Sequence, residues 1–525
     1  MNLESFTLEE KVGQLFMVGF NGLEPNGDII NLITKYHVGG ICYFSRNLKT
    51  PKQVHKLSTE LQSYANIKTP LFLSIDQEGG MINRITEGIT VSPNNMALGA
   101  INNRLYTKQI AEIVARELGA MGINMNFDPS MDVNNNPKNP VIGTRSFGED
   151  VTKVSKHGVE TINGYQKENI SAVVKHFPGH GDTNIDSHED LPVIPHPMER
   201  IHSIELPPFQ YAIDNGVDAV MVSHVSFPSL DKDYPASLSP KIVQGLLREK
   251  LGFEGVVITD CMEMLAIDHN YSSGESAILA INAGIDLVLI SHTYEKQREA
   301  IDAVIRAVKD GEISEERIDE SVTRILALKQ KRKMGEFIEF NRENFGRKRD
   351  IEFSKKLSEQ SITIVKNEHE LLPLNPKKQT VLLWPSFTNK SHVDEALKQS
   401  YTLGHFLQGK LNLFTELSLS TDEAVLNACK EADQIIIATY DIAQYEEILQ
   451  MTKEIVNQFQ QKTIVCAFKN PYDLLEIPHT AAFIAAYDIR PVTLHSVAKV
   501  LCDKGKTRAK LPVSLTDFLK IGHHL

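Results

Sequence analysis

Cysteine is sparse in this chain, and its placement argues against two common uses. Five cysteines occur among 525 residues, an odd number without any CxxC spacing, at Cys42, Cys261, Cys429, Cys466 and Cys502. Scattered thiols of this kind fit a reduced compartment better than a disulfide framework. The opening residues also lack a basic segment followed by an apolar core, so we expect no signal peptide and a cytoplasmic location, with export left open.

Excess positive charge and long apolar runs are missing too. Lys and Arg number 55 against 67 Asp and Glu, which gives a formal net charge of −12. This balance argues against nucleic acid or an anionic membrane as a partner, because both attract basic patches. No apolar run approaches the roughly 20 residues of a membrane span. Neither GxGxxG after a strand nor GxxxxGK[ST] occurs, so no nucleotide cofactor is expected.

The first 300 or so residues alternate short apolar runs with amphipathic helical patterns. Such runs are typical of parallel strands that are buried on both faces. Their count and spacing predict a (β/α)8 TIM-like barrel, with a doubly wound open sheet as the competing architecture. The eight candidate strands are residues 14–20, 38–44, 70–76, 123–129, 171–178, 218–224, 255–260 and 284–291.

A second set of apolar runs follows a charged, glycine-punctuated segment. These runs predict a smaller α/β sandwich domain, with few titratable residues at its strand ends, so we expect the chemistry in the barrel. The predicted organisation is a catalytic barrel over 1–335, a linker over 336–350 and a C-terminal α/β domain over 351–525. The candidate strands of the second domain are 380–385, 434–440, 463–468 and 481–487.

Polar side chains stand at the ends of the predicted barrel strands. A barrel gathers the carboxyl ends of its strands around one mouth, which is where the active sites of such folds form. An open sheet would instead spread these residues along an edge. The residues concerned are Asp76, Asp128, Lys175, His176, His224, Asp260, Ser291 and His292.

The loop "VVKHFPGHGDTNIDSHEDLPVI" (173–194) carries the densest set of titratable groups. In Asp186-Ser187-His188 the carboxylate can accept the ring N–H, which leaves the other ring nitrogen to give or take a proton. The alternative interpretation is a solvated loop whose polar residues have no catalytic role. A metal site is a third interpretation, since His180, Asp182 and His188 are plausible ligands, although no HExxH or cysteine cluster supports it.

Two further segments point toward a polyhydroxylated substrate. Asp76 and Arg84 occur in "LSIDQEGGMINRI" (73–85), and Arg145 lies in the loop "NPKNPVIGTRSFGED". A carboxylate beside a guanidinium suits vicinal hydroxyls of a sugar, although a structural salt bridge would show the same pattern. Asp260 could act as nucleophile, base or metal ligand, whereas Cys261 has no basic neighbour and is expected to be a core residue.

These segments together resemble the family 3 glycoside hydrolases, in the bacterial β-N-acetylglucosaminidase branch. The resemblance runs in order through "IDQEGGMINR", "GINMNFDPSMDVNNNPKNPVIGTRSFGED", "VVKHFPGHGDTNIDSHEDLP" and "EGVVITDCMEM". It covers about residues 7 to 375. Cys261 departs from the residue types that commonly follow the nucleophile in relatives, which puts the adjacent pocket wall in doubt.

The resemblance implies a function and a set of site residues. It places the nucleophile on Asp260 and the acid/base on His188, with Asp186 as its partner. The implied reaction is exo-acting, retaining removal of terminal β-linked N-acetylglucosamine from muropeptide or chitin-type fragments, without cofactor or metal. A β-N-acetylglucosaminide phosphorylase and a β-glucosidase remain alternatives, and the oligomeric state is open. The implied substrate-binding residues are Asp76, Arg84, Arg145, Lys175 and His176.

Overall fold

The first part of the chain forms a closed barrel of eight parallel strands. The structure is a computed structural model that describes residues 3–187, 189–386, 401–503 and 507–525. The barrel confirms the predicted fold class, and the open-sheet alternative is wrong. Around the barrel the strands run in the order β1 Phe16–Val18, β10 Leu287–Ile290, β9 Val256–Cys261, β8 Ala219–Val222, β7 Ser171–Phe177, β6 Met125–Asn126, β3 Phe72–Ile75 and β2 Gly40–Tyr43.

Each of the eight predicted runs coincides with a barrel strand, and all residues of these strands except Asp260 are buried. The first and last strands pair in register, Phe16 with Val288 and Val18 with Ile290, which closes the cylinder. Closure satisfies the backbone groups that an open sheet would leave at its edges. A small hairpin that the sequence pattern did not predict, β4 Gln77–Gly79 and β5 Ile82–Asn83, projects between β3 and β6.

Helices surround the barrel on the outside, and most of them turn their apolar faces to the strands. Two of them are π-helical, Ile201–Glu205 and Lys241–Lys250. The α-helices are α1 Leu8–Gln14, α2 Gly27–Thr34, α3 Pro51–Tyr64, α4 Asn95–Ile101, α5 Arg104–Ala120, α6 Val151–Lys167, α7 Met198–Arg200, α8 Leu206–Asp214, α9 Leu265–Asp268, α10 Ser273–Ala283, α11 Tyr294–Lys309 and α12 Glu315–Lys331.

The second part of the chain forms a six-stranded sheet covered by helices. The four predicted runs are strands here, and two strands at the edges were missed because their burial is mixed. In sheet order the strands are β11 Thr363–Asn367, β16 Ala482–Ala485, β15 Thr463–Ala467, β14 Gln434–Thr439, β12 Gln379–Pro385 and β13 Leu413–Leu419, with β11 antiparallel. The helices are α13 Lys348–Ser361, α14 Leu403–Leu407, α15 Glu423–Glu431, α16 Glu446–Gln458, α17 Asp473–Glu476 and α18 Pro491–Cys502.

The two parts of the chain share buried surface. Helix α4 precedes β6 in the barrel sequence, yet Met96, Ala97 and Ala100 belong to one apolar cluster with strands of the second sheet. Helix α13 begins at Lys348, inside the segment predicted as a linker. The packing therefore runs across the predicted boundaries at 335 and 351, which stay predictions.

Two further expectations can be compared with the described residues. None of the helices in these ranges has the length and apolar character needed to cross a membrane. All five cysteines are unpaired, and four of them are buried.

Candidate active site

A cavity of about 340 Å³ opens at the carboxyl end of the barrel strands. Its size lies near the lower end of the range for small-molecule pockets. The lining mixes charged groups with an apolar rim, and it contains Asp260 together with all five predicted substrate-binding residues. The lining residues are Cys42, Phe44, Asp76, Glu78, Arg84, Phe127, Val141, Arg145, Lys175, His176, His180, Ser187, Met221, Asp260, Cys261, Glu263, Met264, Leu265, Leu289, Ser291 and His292.

Asp260 reaches the cavity from the end of β9. It is the one half-exposed residue of that strand, whose other members are buried. The Cys261 amide donates to its Oδ1 at 2.8 Å. The Cys261 carbonyl lies 2.9 Å from the ring Nε2 of His224, which is itself fully buried. Strand β9 and these two contacts hold the carboxylate at the surface of the pocket.

Asp76 stands at the end of β3 between two cations. Lys175 Nζ donates to its Oδ1 at 2.7 Å, and Arg84 Nη2 donates to its Oδ2 at 3.4 Å. Burial opposes ionisation of Asp76, but Lys175 and Arg84 outweigh it and hold the pKa of this carboxyl below its ordinary value. The pairing expected from "IDQEGGMINR" is therefore present, with Lys175 as a third member.

Glu78 is a central residue that the sequence analysis missed. Its Oε1 lies 2.6 Å from Lys175 Nζ, and Arg145 donates a hydrogen bond to each of its oxygens, at 2.9 and 3.0 Å. Burial opposes its ionisation, yet Arg145 and Lys175 lower the pKa of Glu78 to about 2. The available signal was its spacing from Asp76, because residues two apart on an extended segment point to one face.

Arg145 contacts both Glu78 and His176, and His176 in turn contacts Asp132. The Arg145 Nη2 lies 3.2 Å from His176 Nε2, and His176 Nδ1 lies 2.8 Å from Asp132 Oδ2. Since a guanidinium only donates, Nε2 is the acceptor in this arrangement and the ring proton is on Nδ1, directed at Asp132. The relay fixes both the tautomer and the orientation of the ring.

Asp132 is the second residue that the sequence analysis missed. Its carboxylate also accepts from Ser130 Oγ at 2.9 Å and from the His180 amide at 2.6 Å. Burial works against the charged form, but His176 and His180 hold the pKa of Asp132 below its ordinary value. Nothing in "DPSMDV" singles this aspartate out, because its partners come from a distant strand end.

Asp128, one of the predicted strand-end residues, is fully buried and is not among the described residues that line the cavity. Tyr165 Oη donates to its Oδ2 at 2.6 Å. Burial, reinforced by the negative charge of Glu78, raises the pKa of Asp128 to about 8. Of the three aspartates at strand ends, only Asp76 and Asp260 face the pocket.

The predicted acid/base loop is described in part. Asp186 is buried, and Ser187 lines the cavity. His188 lies outside the described residues, so the structure does not test the Asp186–His188 pair. The loop backbone packs closely against Val133, because a side chain at Gly181 would meet the Val133 carbonyl at 1.9 Å. His180 and Ser187 of the loop line the cavity, and the roles of Asp186 and His188 stay predictions.

The other two residues of the metal interpretation have other partners. The ring of His180 lies 2.9 Å from Thr183 Oγ1 and 3.2 Å from Ser187 Oγ, and burial lowers its pKa to about 4. Asp182 accepts from His196 at 2.6 Å and Arg200 at 3.1 Å. Among the described ranges no three His, Cys, Asp or Glu side chains gather as metal ligands would.

Cys261 fits its predicted role as a small buried residue. Its side chain is 9% exposed, and burial raises the pKa of its thiol to about 11. A thiol that stays protonated near neutral pH is a poor nucleophile. Asp260 therefore stays the predicted nucleophile of β9.

Comparison with known proteins places this geometry in a family. A β-N-acetylglucosaminidase of glycoside hydrolase family 3 from Paenibacillus sp. strain FPU-7 superposes with a TM-score of 0.92 at 43% identity, covering 98% of this chain and 99% of that one. The β-hexosaminidase A of Pseudoalteromonas piscicida is 28% identical over 97% of both chains. A β-N-acetylglucosaminidase/β-glucosidase of Cellulomonas fimi is 28% identical over 96% of this chain and 93% of its own.

The family model described as the glycosyl hydrolase family 3 N terminal domain matches residues 7–328. This match spans the whole barrel and more than half of the chain. The protein therefore belongs to glycosyl hydrolase family 3 and is a glycoside hydrolase.

Proposed function

We propose that this protein is an exo-acting, retaining β-N-acetylglucosaminidase that removes one terminal sugar at a time. The observation that carries the proposal is the cavity of about 340 Å³ in which Asp260 stands beside the charged group formed by Asp76, Glu78, Lys175 and Arg145. A small pocket with convergent donors and acceptors suits a single sugar ring. The names of the relatives with high coverage support the N-acetyl substrate.

Each ionic group of the pocket has a distinct task in this proposal. The outer oxygens of Asp76 accept from sugar hydroxyls, while Arg84 and Lys175 donate to them. His176 accepts from Arg145 through its Nε2 and so helps to hold the guanidinium toward the pocket. Because the cations are already paired with carboxylates, they are held in place before substrate arrives, which lowers the entropic cost of binding.

The chemical steps follow the double displacement of retaining glycosidases. Asp260 attacks the anomeric carbon, and the bond to the leaving oxygen breaks as His188 delivers a proton to it. In the second step His188 takes a proton from water, and that water displaces Asp260 to release the sugar with its original anomeric configuration. Asp186 orients the ring and stabilises the imidazolium formed during each cycle.

Muropeptide or chitin-type fragments are the proposed natural substrates. A histidine acid/base is neutral when it acts as base, so it does not repel an anionic aglycone as a carboxylate would. Cell-wall fragments carry lactyl and peptide carboxylates, which favours a role in cell-wall recycling. Cleavage of a β-linked GlcNAc–MurNAc disaccharide at least as fast as chitobiose would support this choice, and a strong preference for chitobiose would contradict it.

A β-glucosidase is the second candidate, because the Cellulomonas fimi relative is named for both activities. The relatives reported above are named as hydrolases, so the phosphorylase alternative is not favoured. The nitrophenyl β-N-acetylglucosaminide and β-glucoside, each assayed with and without phosphate, separate these functions. We expect turnover of the N-acetyl donor, independent of phosphate, and a first-formed β anomer in the proton NMR spectrum.

Two substitutions test the assigned chemistry. Asp260→Asn should abolish turnover of either donor, whereas Asp310→Asn, at an exposed position at the end of α11, should not. His188→Ala should slow the second step most with a nitrophenyl donor, because nitrophenolate leaves without a proton, and a burst should appear. His269→Ala is the matched control at an exposed position. An unaltered rate in Asp260→Asn, or a first-formed α anomer, would overturn the mechanism.

A further inference from the structure

The second domain lies close behind the loops that carry Glu78 and Arg145. On one side, Met81 at the tip of the β4–β5 hairpin packs against the apolar cluster of the second sheet. Next to the hairpin, Asn94 Nδ2 donates to the Tyr487 carbonyl at 2.5 Å, and Arg490 Nη2 donates to the Ser92 carbonyl at 2.9 Å. The hairpin is thus packed against the second domain, and two hydrogen bonds attach the adjoining segment at Ser92 and Asn94 to the same domain.

The loop that carries Arg145 is attached in a different way. Asn134 is fully buried, and its Nδ2 donates to the hydroxyl of Tyr472 at 2.8 Å. The Oδ1 of the same amide accepts from the Gly143 backbone N–H at 3.1 Å. Gly143 begins the single helical turn Gly143–Arg145. A tyrosine of the second domain is therefore two hydrogen bonds away from the turn that delivers the guanidinium.

A third contact fixes the end of the same turn. Asn95, the first residue of α4, donates its Nδ2 to the Arg145 carbonyl at 2.7 Å. Helix α4 is itself anchored in the second domain through Met96, Ala97 and Ala100. Since Arg145 contacts both Glu78 and His176, a shift of this turn would disturb three groups of the pocket at once.

From these contacts we infer that the second domain sets the position of the sugar-binding cations, with Tyr472 as a positioning residue. The Tyr472 hydroxyl fixes the side-chain amide of Asn134, the amide fixes the Gly143 backbone, and the backbone fixes Arg145. The described residues that line the cavity all come from the barrel, so the influence of the second domain on substrate is indirect. The inference goes beyond the proposed function and concerns the part of the chain that the sequence left without a role.

Two tyrosine hydroxyls allow a matched test. Tyr472→Phe removes the hydroxyl that contacts Asn134. Tyr487→Phe removes the hydroxyl of another buried tyrosine, which donates to Thr363 Oγ1 at 2.9 Å inside the second sheet. Both variants lose one buried hydrogen bond and should lose similar thermal stability. Only Tyr472→Phe should raise KM for the nitrophenyl donor that the wild type cleaves, by about tenfold, while kcat changes little because binding is affected in ground and transition states alike.

Removal of the intermediate amide completes the test. In an Asn134→Ala background, Tyr472→Phe should have no further effect on KM, because the connection is already broken. Equal KM changes in the two tyrosine variants would assign the effect to general destabilisation and overturn the inference. Unchanged KM in Tyr472→Phe, or additive effects with Asn134→Ala, would overturn it as well.

Hydrogen exchange supplies a readout that does not depend on the substrate. The Gly143 amide should exchange faster in Tyr472→Phe than in Tyr487→Phe, since only the first variant frees its acceptor. If the wild type cleaves neither nitrophenyl donor, the proposed function fails, and the exchange rate of residues 141–146 still decides the role of Tyr472. Equal protection of Gly143 in both variants would contradict that role.

Discussion

Replacing Glu78 by glutamine removes one negative charge from a place where the carboxylate contacts two buried cations. Lys175 and Arg145 approach it at 2.6 to 3.0 Å, and its side chain is 3% exposed. The pKa of Glu78 is about 2, against an ordinary value of about 4.3. At about 1.4 kcal/mol per pKa unit, the charged form gains about 3 kcal/mol from its surroundings.

A similar free-energy cost is expected when the effect of the substitution on the two cations is considered. Taking one partner out of a buried ion pair costs about 3–5 kcal/mol, because the remaining charges lose their compensation. Glu78→Gln should therefore lower the urea midpoint at pH 7 and raise KM for the sugar donor. Glu87→Gln, at an exposed position in the same stretch of chain, should leave both unchanged.

The stability that ionised Glu78 contributes should depend on pH in one direction. Because the folded pKa of Glu78 lies below the ordinary value, its contribution is present above about pH 4.3 and is lost as the pH falls toward about 2. The difference in urea midpoint between wild type and Glu78→Gln should accordingly shrink as the pH is lowered through this window. An unchanged midpoint at pH 7, or a difference that is independent of pH, would refute the reasoning.

Three further predictions concern a buried carboxyl group, the reactivity of two thiols and the independence of turnover from metal. The pKa of Asp128 is about 8, so the stability contributed by its protonated form is complete below about pH 4 and is lost as the pH rises through 8. Asp128→Asn should therefore show a smaller fall in melting temperature than the wild type between about pH 6 and about pH 9. Parallel melting profiles of the two proteins would contradict this. Cys502, the one half-exposed thiol, should react with iodoacetamide before Cys261, whose burial raises its pKa to about 11; peptide mass spectrometry would expose the reverse order. Prolonged dialysis against a chelator should leave turnover unchanged, since the proposed chemistry uses only side chains, and a loss restored by added metal would revive the metal-site interpretation.

The course of the barrel could be predicted from the sequence because its physical signal is local. A strand buried on both faces must be apolar along its length, and each of the eight such runs forms a barrel strand. Asp76, Lys175 and Asp260 were found by the same reasoning, since a polar residue at the end of an apolar run marks the mouth of a barrel.

Other features depend on contacts that a local pattern does not contain. Glu78 lies in "QEGG", where the glycines indicate a turn, so the short strand β4 and the direction of its carboxylate were missed. Asp132 contacts His176 at the end of β7, 44 residues away along the chain, so no local pattern marks it. The edge strands β11 and β13 were missed because their exposed residues break the apolar pattern. The contact of Tyr472 with Asn134 spans 338 residues.

The apolar face of α4 determines how the protein would tolerate truncation after the barrel. A polypeptide that stopped near residue 335 would keep every residue of the pocket lining, yet Met96, Ala97 and Ala100 would face water instead of the second sheet. Exposed apolar surface of this kind promotes self-association. A truncated barrel of this protein would therefore need polar replacements along α4 before it could be produced as a well-behaved catalyst.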